Sequence, residues 1–373
     1  MKGGNVGKEA MSEASEKQQI LNALSNVQDP DLQRDIVSLG FIKNLQVEAL
    51  LPLGNKKKVR FQIELTTPAC PVKDLLKSQA REAVLALDFV SDVDVEMTAR
   101  VRESGLAEKR IPRVKNLILV GAGKGGVGKS SVAVNVALSL KQMGAQVGLL
   151  DADVHGPSLA MMLGAPPGMP QVRDSKILPV LVHGVSLMSM AFFAPVGDAV
   201  LWKGAMVAKA IQQMLFDVNW GGHSTPDLDY LVVDLPPGTG DVPLTIAQSV
   251  AVAGSVLVST PQEIALLDTA KALALFAKFK IPVLGLVENM SGFLCPHCGK
   301  ESPIFGGGGG QRFAEKHHIP FLGAIPLDPR IVARGDSGIP LVVEDSNHSA
   351  AKAYAHIASQ LASQISVRQV TSP

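Results

Sequence analysis

Cysteine is scarce in this sequence: there are three among 373 residues, and two of them, Cys295 and Cys298, stand in one short turn. So few cysteines do not build the disulfide framework of a small secreted domain. The amino-terminal stretch MKGGNVGKEAMSEASEKQQ is polar and lacks the apolar core of a secretory signal. We therefore expect a cytoplasmic protein in a reducing compartment.

An excess of charge of one sign is also missing, because 35 Lys and Arg residues balance 34 Asp and Glu residues. This balance argues against nucleic acid as the main partner. Two stretches without these charged residues, 177–197 and 242–260, have about the length of a membrane span. Polar residues, Pro or Gly interrupt both, so we expect buried segments of a soluble fold. The predicted partners include neither nucleic acid nor membrane.

The first hundred residues predict a small α+β domain, which we place at 13–100. Apolar side chains have helical spacing in the stretches 16–26 and 72–87. Apolar and polar residues alternate, as they do in strands, in the stretches 59–65 and 90–97. The charged stretch RESGLAEKRIPRVK, which contains a proline, predicts a linker, placed at 101–114.

From residue 115 onward, short apolar runs alternate with helical stretches. Runs of this kind are typical of parallel strands covered on both faces; they are NLILVGAG, QVGLLDAD, DYLVVDL, GSVLVST, PVLGLVEN and FLGAIPL. Residues 130–143 and 263–279 predict helices between them. The predicted fold class is α/β, a doubly wound parallel sheet over 115–366, whose ligands bind beyond the carboxyl ends of the strands.

A phosphate-binding loop follows the strand NLILV. The residues GAGKGGVGKS satisfy G-x-x-x-x-G-K-S from Gly123 to Ser130. Its glycines let successive backbone N–H groups face an anion, and the following helix adds the positive end of its dipole. We expect Lys129 to reach the β- and γ-phosphates of ATP and Ser130 to bind Mg²⁺. A glycine-rich turn without a ligand would not explain the full motif.

Carboxylates follow two other predicted strands, Asp151 and Asp153 in DADVHGPS and Asp234 in DLPPGTGD. We expect Asp234 to bind Mg²⁺ through water, and Asp151 or Asp153 to touch metal or orient the attacking water. A single Asp is often a turn former or a helix N-cap, but three beside a phosphate loop favour a site. Asn289, which ends PVLGLVEN, is expected to read the adenine edge; a turn-forming role fits nearly as well.

Lys124 is harder to explain within one subunit, because it brings a second cation beside Lys129. Local chemistry leaves two roles open: solvation on the outer edge of the loop, or contact with phosphate across a subunit boundary. The complete set of predicted nucleotide-binding residues is Gly123, Lys124, Gly125, Gly126, Val127, Gly128, Lys129, Ser130, Ser131, Asp234 and Asn289.

The turn FLCPHCGK presents half of a metal site. Cys295 and Cys298 aim two sulfurs at one centre, whereas soft metal centres usually need four ligands. Free buried thiols suit this polar, glycine-flanked turn poorly. A two-fold dimer would supply two sulfurs from each subunit to one Fe–S cluster. A zinc site is the competing explanation, with two nitrogen ligands drawn from His297, His317 and His318.

Five motifs in order, KGGVGKS, DADVHGPS, DLPPGTGD, VENMSGF and CPHCG, resemble the Mrp/ApbC group of P-loop ATPases, which are iron–sulfur cluster carriers related to MinD and the nitrogenase iron protein. The resemblance covers roughly 112–345. GDSGIP at 335–340 also resembles the family's C-terminal segment. DPDLQRDIVSLGFI and LTTPACPVKD resemble the small domain often fused in front of these ATPases and associated with Fe–S protein maturation. Cys70 in that domain is either a small buried residue or a reactive thiol.

The resemblance implies a homodimeric ATPase whose slow hydrolysis serves the timing of cluster loading or release. It implies delivery to apo iron–sulfur proteins, with cluster scaffold proteins as further partners. By position, it implies catalytic roles for Lys124, which contacts phosphate in the partner subunit, and for Asp151 and Asp153. It implies Mg²⁺ at Ser130 and Asp234, and a bridging 4Fe–4S cluster held by Cys295 and Cys298.

Two alternatives come from other functional classes. A MinD/ParA-like positioning ATPase would need a basic amphipathic helix for MinD-like membrane attachment, and the tail YAHIASQLASQISVRQVTSP has few cations. The other alternative is a nucleotide-dependent scaffold with a structural zinc ion at the cysteine pair.

Overall fold

The structure, a computed structural model, describes residues 5–49, 56–104, 109–154, 156–193, 204–221, 226–238, 241–295, 297–298 and 300–371. Parts of the predicted linker and of three motifs lie outside these residues, namely 105–108, His155, Thr239, Gly240, Pro296 and Gly299. The chain divides into two compact units. The small unit comprises Met1–Val101 with Ser366–Pro373, and the large unit comprises Arg102–Ile365.

Within the described residues, the small unit combines helices with a three-stranded sheet and a separate pair of short strands. Its elements are α1 Asn5–Leu24, β1 Gln28–Asp29, β2 Arg34–Asp35, β3 Ile42–Ala49, β4 Lys57–Leu65, α2 Lys73–Leu85 and β5 Val90–Ala99. Central strand β4 pairs antiparallel with β3 and parallel with β5. Its alternation buries every second side chain, and α2 buries positions four residues apart; these residues are Val59, Phe61, Ile63, Leu65, Leu76, Ala80 and Val84. The predicted helices and strands are confirmed here.

In the described part of the large unit, nine strands form one mixed sheet. Its strands are β6 Val114–Ala122, β7 Val147–Asp151, β10 Val180–Val182, β11 Val185–Ser189, β12 Leu228–Asp234, β13 Gly254–Ser259, β14 Val283–Leu294, β15 Glu301–Ser302 and β16 Phe321–Leu327, with a separate pair β8 Val172–Arg173 and β9 Lys176–Ile177. Strands β11, β7, β12, β6, β13, β14 and β16 run parallel to their neighbours. Edge strand β10 and the short β15 are antiparallel.

Helices connect these strands. They are α3 Lys129–Gln142, α4 Leu159–Met162, α5 Gly204–Phe216, α6 Asp241–Ser249, α7 Glu263–Lys278, α8 Gly309–His317, α9 Pro329–Asp336, α10 Leu341–Glu344 and α11 Ser349–Thr371, with a 3₁₀ turn at Met190–Phe192. All six predicted strands and both predicted helices are present, which confirms the α/β class. None of the helices in the described ranges combines the length and the apolarity that a membrane crossing requires.

The strand order explains where ligands bind. The chain lays β7, β11 and β12 on one side of β6 and β13, β14 and β16 on the other. The order therefore reverses beside β6, and open parallel sheets bind ligands at such a reversal, beyond the carboxyl ends of the strands. Residues 123–128, which come directly after β6, begin at this point.

Two features of the large unit differ from the prediction. Strand β14 continues to Leu294, five residues past Asn289, where the predicted run ended. The carboxyl-terminal segment, for which no helix was predicted, forms the 23-residue helix α11. Its buried side chains repeat at helical spacing, namely Tyr354, Ile357, Leu361 and Ile365.

Candidate functional site

The loop between β6 and α3 depends on glycine at two positions with left-handed backbone. Gly126 and Gly128 both have φ of 80°, a region that is costly for residues with a Cβ. Gly128 is also the N-cap of α3, and a Cβ there would lie 2.2 Å from Nδ2 of Asn289. The predicted motif thus has the backbone shape of a phosphate-binding loop.

Gly123 is required for a different reason, the close approach of α7. A Cβ on Gly123 would lie 2.1 Å from the carbonyl carbon of Asp268 and 2.5 Å from the amide nitrogen of Thr269. Both are backbone atoms and cannot rotate away. The start of the loop is therefore held against the backbone of α7, and only a hydrogen fits at this position.

Asp234 joins the two side chains predicted to bind phosphate and Mg²⁺. Lys129 Nζ donates to Oδ1 of Asp234 at 2.5 Å, and Ser130 Oγ donates to Oδ2 at 2.6 Å. Lys129 is 7% exposed and Asp234 0%. Burial raises the pKa of Asp234, while the charge of Lys129 and the two hydrogen bonds oppose that rise. The geometry thus brings together three residues that were predicted to bind phosphate or Mg²⁺; those roles remain predictions.

The Ser130 and Asp234 oxygens fit the requirements of Mg²⁺. This ion takes oxygen ligands, keeps several waters and is held through one or two protein groups plus substrate phosphates. A serine hydroxyl and a carboxylate oxygen 2.6 Å apart can share one octahedral ion, either directly or through water. Nucleotide phosphates would then compete with Asp234 for the ammonium of Lys129.

Asp151 ends β7 directly beside Asp234 in the sheet register. Its carboxylate is fully buried, and Oδ2 accepts from the backbone N–H of Leu159 at 3.1 Å and from Ser189 Oγ at 3.0 Å. Burial, with the neighbouring charge of Asp234 adding, raises the pKa of Asp151 to about 7. Asp151 therefore also fastens the start of α4 to the end of β11.

Asp153 is half-buried and accepts from the backbone N–H of Gly156 at 3.2 Å. Lys124 is half-buried in the loop. The hydrogen bond from Lys271 is the main reason why the pKa of Asp268 is lowered, and the charge of Lys124 contributes to it. The predicted catalytic roles of Asp151, Asp153 and Lys124 remain predictions.

Asn289 forms a hydrogen bond with the backbone of the phosphate-binding loop. Its side chain is 5% exposed, and Nδ2 donates to the carbonyl oxygen of Val127 at 2.9 Å. The carboxamide thus sits against the residue that precedes Gly128. Contact with adenine stays a prediction for Asn289; its hydrogen bond to the loop is a second role that the sequence did not indicate.

The cysteine pair stands at the tip of a β-hairpin. Strands β14 and β15 pair through Phe293 with Ser302 and Leu294 with Glu301, and the backbone N–H of Cys295 donates to the carbonyl of Lys300 at 3.0 Å. Cys295 and Cys298 both lie between the two strands that this ladder joins. The pairing of β14 with β15 therefore places both cysteines in one short segment between the two strands.

The sulfur of Cys295 accepts hydrogen bonds from its own turn. These hydrogen bonds lower the pKa of Cys295. The largest contribution comes from the backbone N–H of His297, followed by the backbone N–H and the thiol of Cys298. Amide donors aimed at a sulfur stabilise the thiolate, which is the form that binds metals. Cys295 is half-buried and Cys298 is exposed. The turn thus favours the thiolate form of Cys295.

No third ligand joins this pair in the described part of the chain, where no group of three or more His, Cys, Asp and Glu residues could hold a metal ion. His317, one of the nitrogen candidates, instead lies against Phe313 with ring centroids 4.2 Å apart. A zinc site completed within one chain therefore gains no support from the structure. The cysteine turn remains a half-site.

Cys70 in the small unit is partly buried against its apolar core. Burial, with smaller contributions from the charges of Asp29 and Asp31, raises the pKa of Cys70 to about 11. Near neutral pH the side chain is a thiol. Of the two roles left open for Cys70, the small buried residue matches this environment better than the reactive thiol.

We predict that Cys70 is alkylated slowly. The thiolate is the nucleophile, so a raised pKa makes the rate at Cys70 increase about tenfold per pH unit up to about pH 11. At neutral pH the rate should lie well below that of the exposed Cys298. Iodoacetamide labelling of the reduced, iron-free protein, followed by peptide mass spectrometry at several pH values, measures both rates. Equal rates for the two cysteines at neutral pH would contradict the buried environment.

Two further residues of the site region, Glu288 and Ser291, belong to the motif VENMSGF, but no role was predicted for either of them. Glu288 is 1% exposed, and its carboxylate accepts from Ser291 Oγ and from the backbone N–H of Gly310. One signal was available, because a glutamate inside the apolar strand PVLGLVEN must find partners when it is buried. The glycine run 306–310 supplies one of them.

Fold and site together define a P-loop NTPase. Residues 113–362 match the family described as NUBPL iron-transfer P-loop NTPase, and residues 17–97 match the family described as iron-sulfur cluster assembly protein. The chain belongs to the iron-transfer P-loop NTPase family, with an iron–sulfur cluster assembly domain in front. The family resemblance of the five motifs is thereby confirmed.

Two carrier proteins are similar to this chain along nearly its whole length. The chain is similar to the iron-sulfur cluster carrier protein of Deinococcus radiodurans, with 48% identity over 355 residues that cover 94% of this chain and 96% of that protein. Similarity to the iron-sulfur cluster carrier protein of Escherichia coli is 38% identity over 369 residues, covering 97% and 95%. A solved nucleotide-binding protein of Archaeoglobus fulgidus in complex with ADP is 38% identical, with a TM-score of 0.55, and the match covers 64% of this chain and 91% of that chain.

Proposed function

We propose that this protein is an ATP-dependent iron–sulfur cluster carrier that holds a 4Fe–4S cluster between two copies of the chain and delivers it to apo-proteins. The observation that carries the proposal is the hairpin of Cys295 and Cys298: two sulfurs, amide donors to one of them, and no third ligand in the described ranges. A four-thiolate cluster then needs a second hairpin. A second copy of the chain is the simplest source.

The nucleotide site supports ATP as the other ligand. The left-handed glycines at 126 and 128 and the amino terminus of α3 suit an anion. Lys129 and Ser130 converge on Asp234, which suits Mg²⁺ and the terminal phosphates. The metal ion would neutralise charge on the phosphates during hydrolysis.

The remaining roles follow from position around this site. We assign the orientation of the attacking water to Asp151 or Asp153, contact with phosphate of the partner subunit to Lys124, and contact with adenine to Asn289. Hydrolysis is proposed to be slow and to time cluster loading or release. The exposure of Cys298 favours transfer, because a cluster ligand open to solvent can be replaced by a thiol of the recipient. The relatives' names favour apo iron–sulfur proteins as recipients.

The proposal is tested by anaerobic reconstitution of Cys298→Ser beside wild type. We expect wild type to bind iron and sulfide in equal amounts at about one 4Fe–4S cluster per two chains, with a mass that corresponds to a dimer. The variant should lose the cluster and keep its affinity for ADP, because Cys298 is not part of the phosphate loop. Iron and sulfide analysis, native mass measurement and calorimetry provide the three readings.

Cys70→Ser is the matched control, since it removes the thiol of the small unit and leaves the hairpin intact; it should bind the cluster as wild type does. Unchanged iron and sulfide in Cys298→Ser would refute the ligand assignment. A cluster held by monomeric protein would refute the shared site. Zinc without sulfide in anaerobically purified protein would favour the scaffold with a structural metal.

A further inference from the structure

Strand β14 touches both functional regions of the large unit. Asn289, within this strand, donates from Nδ2 to the carbonyl of Val127 in the phosphate loop at 2.9 Å. The end carbon of Met290 would lie 3.9 Å from a Cβ on Gly128. Cys295 comes only six residues after Asn289 along the same chain segment. Strand β14 therefore connects the loop at Val127 and Gly128 to the base of the cysteine hairpin.

The residues between these two points form an irregularity in the sheet. In the pairing of β14 with β16, Asn289 lies opposite Ile325 and Phe293 opposite Leu327, so residues 290–292 face the single residue 326. Met290 has φ of 59° although it is not a glycine, and Gly292 has φ of 86°. Left-handed backbone is unfavourable for a residue with a long side chain. Such bulges bend a strand and redirect the residues beyond them.

Glu288 holds this bulge in place. Its Oε1 accepts from Ser291 Oγ at 2.5 Å, inside the bulge, and its Oε2 accepts from the backbone N–H of Gly310 at 2.6 Å, in the first turn of α8. The side chain is 1% exposed. A buried carboxylate needs such donors, and the amino terminus of α8 adds its dipole.

The anchor on the far side of Glu288 is rigid. A Cβ on Gly309 would lie 2.2 Å from the carbonyl oxygen of Pro261, and one on Gly310 would lie 3.0 Å from Cβ of Glu288. Gly309 is therefore packed against the backbone of Pro261, and Gly310 against the side chain of Glu288. Glu288 thus connects a strained bulge to a fixed point, and Ser291 is the bulge residue that it holds.

We propose that Ser291 and Glu288 are positioning residues that hold the bulge 290–292, and that this bulge transmits nucleotide binding at the phosphate loop to the cysteine hairpin. The inference rests on the proposed function in one respect, the binding of nucleotide at the loop and of the cluster at the hairpin. A nucleotide shifts the hairpin only if it binds one arrangement better than the other. Linkage then requires the hairpin ligand to change nucleotide affinity by the same factor.

The test measures thiol labelling of the reduced, iron-free full-length protein with and without saturating Mg-ADP. Peptide mass spectrometry gives separate rates for Cys295, Cys298 and Cys70. In wild type we expect nucleotide to change the labelling rate at the hairpin by about fivefold, the lower end of ordinary coupling. Cys70, which lies in the small unit, should keep its rate and serves as the internal control.

Ser291→Ala removes one donor to Glu288 and touches neither ligand. We expect the variant to keep an ADP affinity within about twofold of wild type and to lose most of the response of the hairpin to nucleotide. Ser291→Thr keeps the hydroxyl and should restore the response. Ser255→Ala is the matched control, because it removes another hydroxyl of the same sheet, one that donates to the carbonyl of Pro282.

A hairpin rate in wild type that does not change with nucleotide would overturn the inference, and so would a full response in Ser291→Ala. If Ser291→Ala does not fold, Met290→Gly replaces it, because it relaxes the left-handed joint and leaves the hydrogen bonds of Glu288 in place; it should weaken the response, and an unchanged response would count against the proposal. Labelling needs no cluster. Failure of the cluster test with a nucleotide-sensitive hairpin would therefore refute the carrier function alone.

Discussion

Gly123→Ala is expected to lower the thermal unfolding temperature of the large unit by roughly 6–12 °C and to weaken ADP binding at least about tenfold. The added Cβ would lie 2.1 Å from the carbonyl carbon of Asp268, so the loop or α7 must move. Overpacking against atoms that cannot rotate costs on the order of 3 kcal/mol, and each kcal/mol lowers the unfolding temperature of a domain of this size by about 2–4 °C. The displaced loop then presents its N–H groups in the wrong places.

Gly125→Ala is the matched control within the same loop. Its backbone is not left-handed, and its Cβ would meet Pro237 Cβ at 3.8 Å, an ordinary contact. Its unfolding temperature without nucleotide should stay near that of wild type, since unstrained exposed substitutions change stability by about 0.5 kcal/mol or less. Differential scanning calorimetry of the iron-free protein makes the comparison. Identical transitions for the two variants would mean that the loop does not approach α7 as closely as the structure has it.

Lys129→Ala is expected to abolish nucleotide binding, with the affinity for ADP reduced by about 100-fold or more, and to destabilise the protein as well. The second effect arises because Asp234, 0% exposed, loses its counter-ion at 2.5 Å. Removing one partner of a buried ion pair costs about 3–5 kcal/mol. Calorimetric titration measures the first effect and denaturant unfolding the second.

The loss of stability in Lys129→Ala should depend on pH. Burial already raises the pKa of Asp234, and removal of Lys129 takes away the largest effect that opposes this rise. A carboxyl whose pKa is higher in the folded than in the unfolded state stabilises the fold at low pH, and that contribution is lost as the pH rises through the folded pKa. The variant should therefore be less destabilised at about pH 5 than at about pH 8.

The double variant Lys129→Met with Asp234→Asn separates the two effects. It removes both charges, so most of the stability should return while nucleotide binding stays lost. If the double variant is as unstable as Lys129→Ala, the cost lies in packing and not in an unpaired carboxylate. Asp92→Asn provides a surface control, because the ion pair of Asp92 with Lys58 is partly open to solvent and such pairs contribute little.

The parts of this fold that follow from local periodicity were predictable. Alternation in β4 and the continuous apolar runs of β6, β12 and β13 indicated their strands directly, because each pattern reports burial on one face or on both. The phosphate loop was predictable because its motif, GAGKGGVGKS, consists of ten consecutive residues. The helix α11 was missed because its small residues weaken the apolar stripe.

The parts that depend on distant residues were not predictable. Asn289 binds Val127, which lies 162 positions earlier in the sequence, and Glu288 binds Gly310, 22 positions later. Local sequence patterns do not indicate hydrogen-bond partners that lie so far apart in the chain. The bulge at 290–292 also depends on distant residues, because it exists only in the pairing with β16. The glycine at 292 likewise reflects a distant neighbour, since a Cβ there would lie 2.5 Å from Oε1 of Glu301.

The unequal environments of the two hairpin sulfurs have a consequence for the proposed carrier. Cys298 faces solvent, whereas Cys295 is half-buried and holds amide donors. In the proposed dimer, an incoming thiolate of a recipient would reach iron from the open side, so the bonds to the two Cys298 sulfurs should exchange before the bonds to the two Cys295 sulfurs. Transfer would then be ordered: the cluster would stay bound to the Cys295 sulfurs until the recipient has replaced the Cys298 sulfurs.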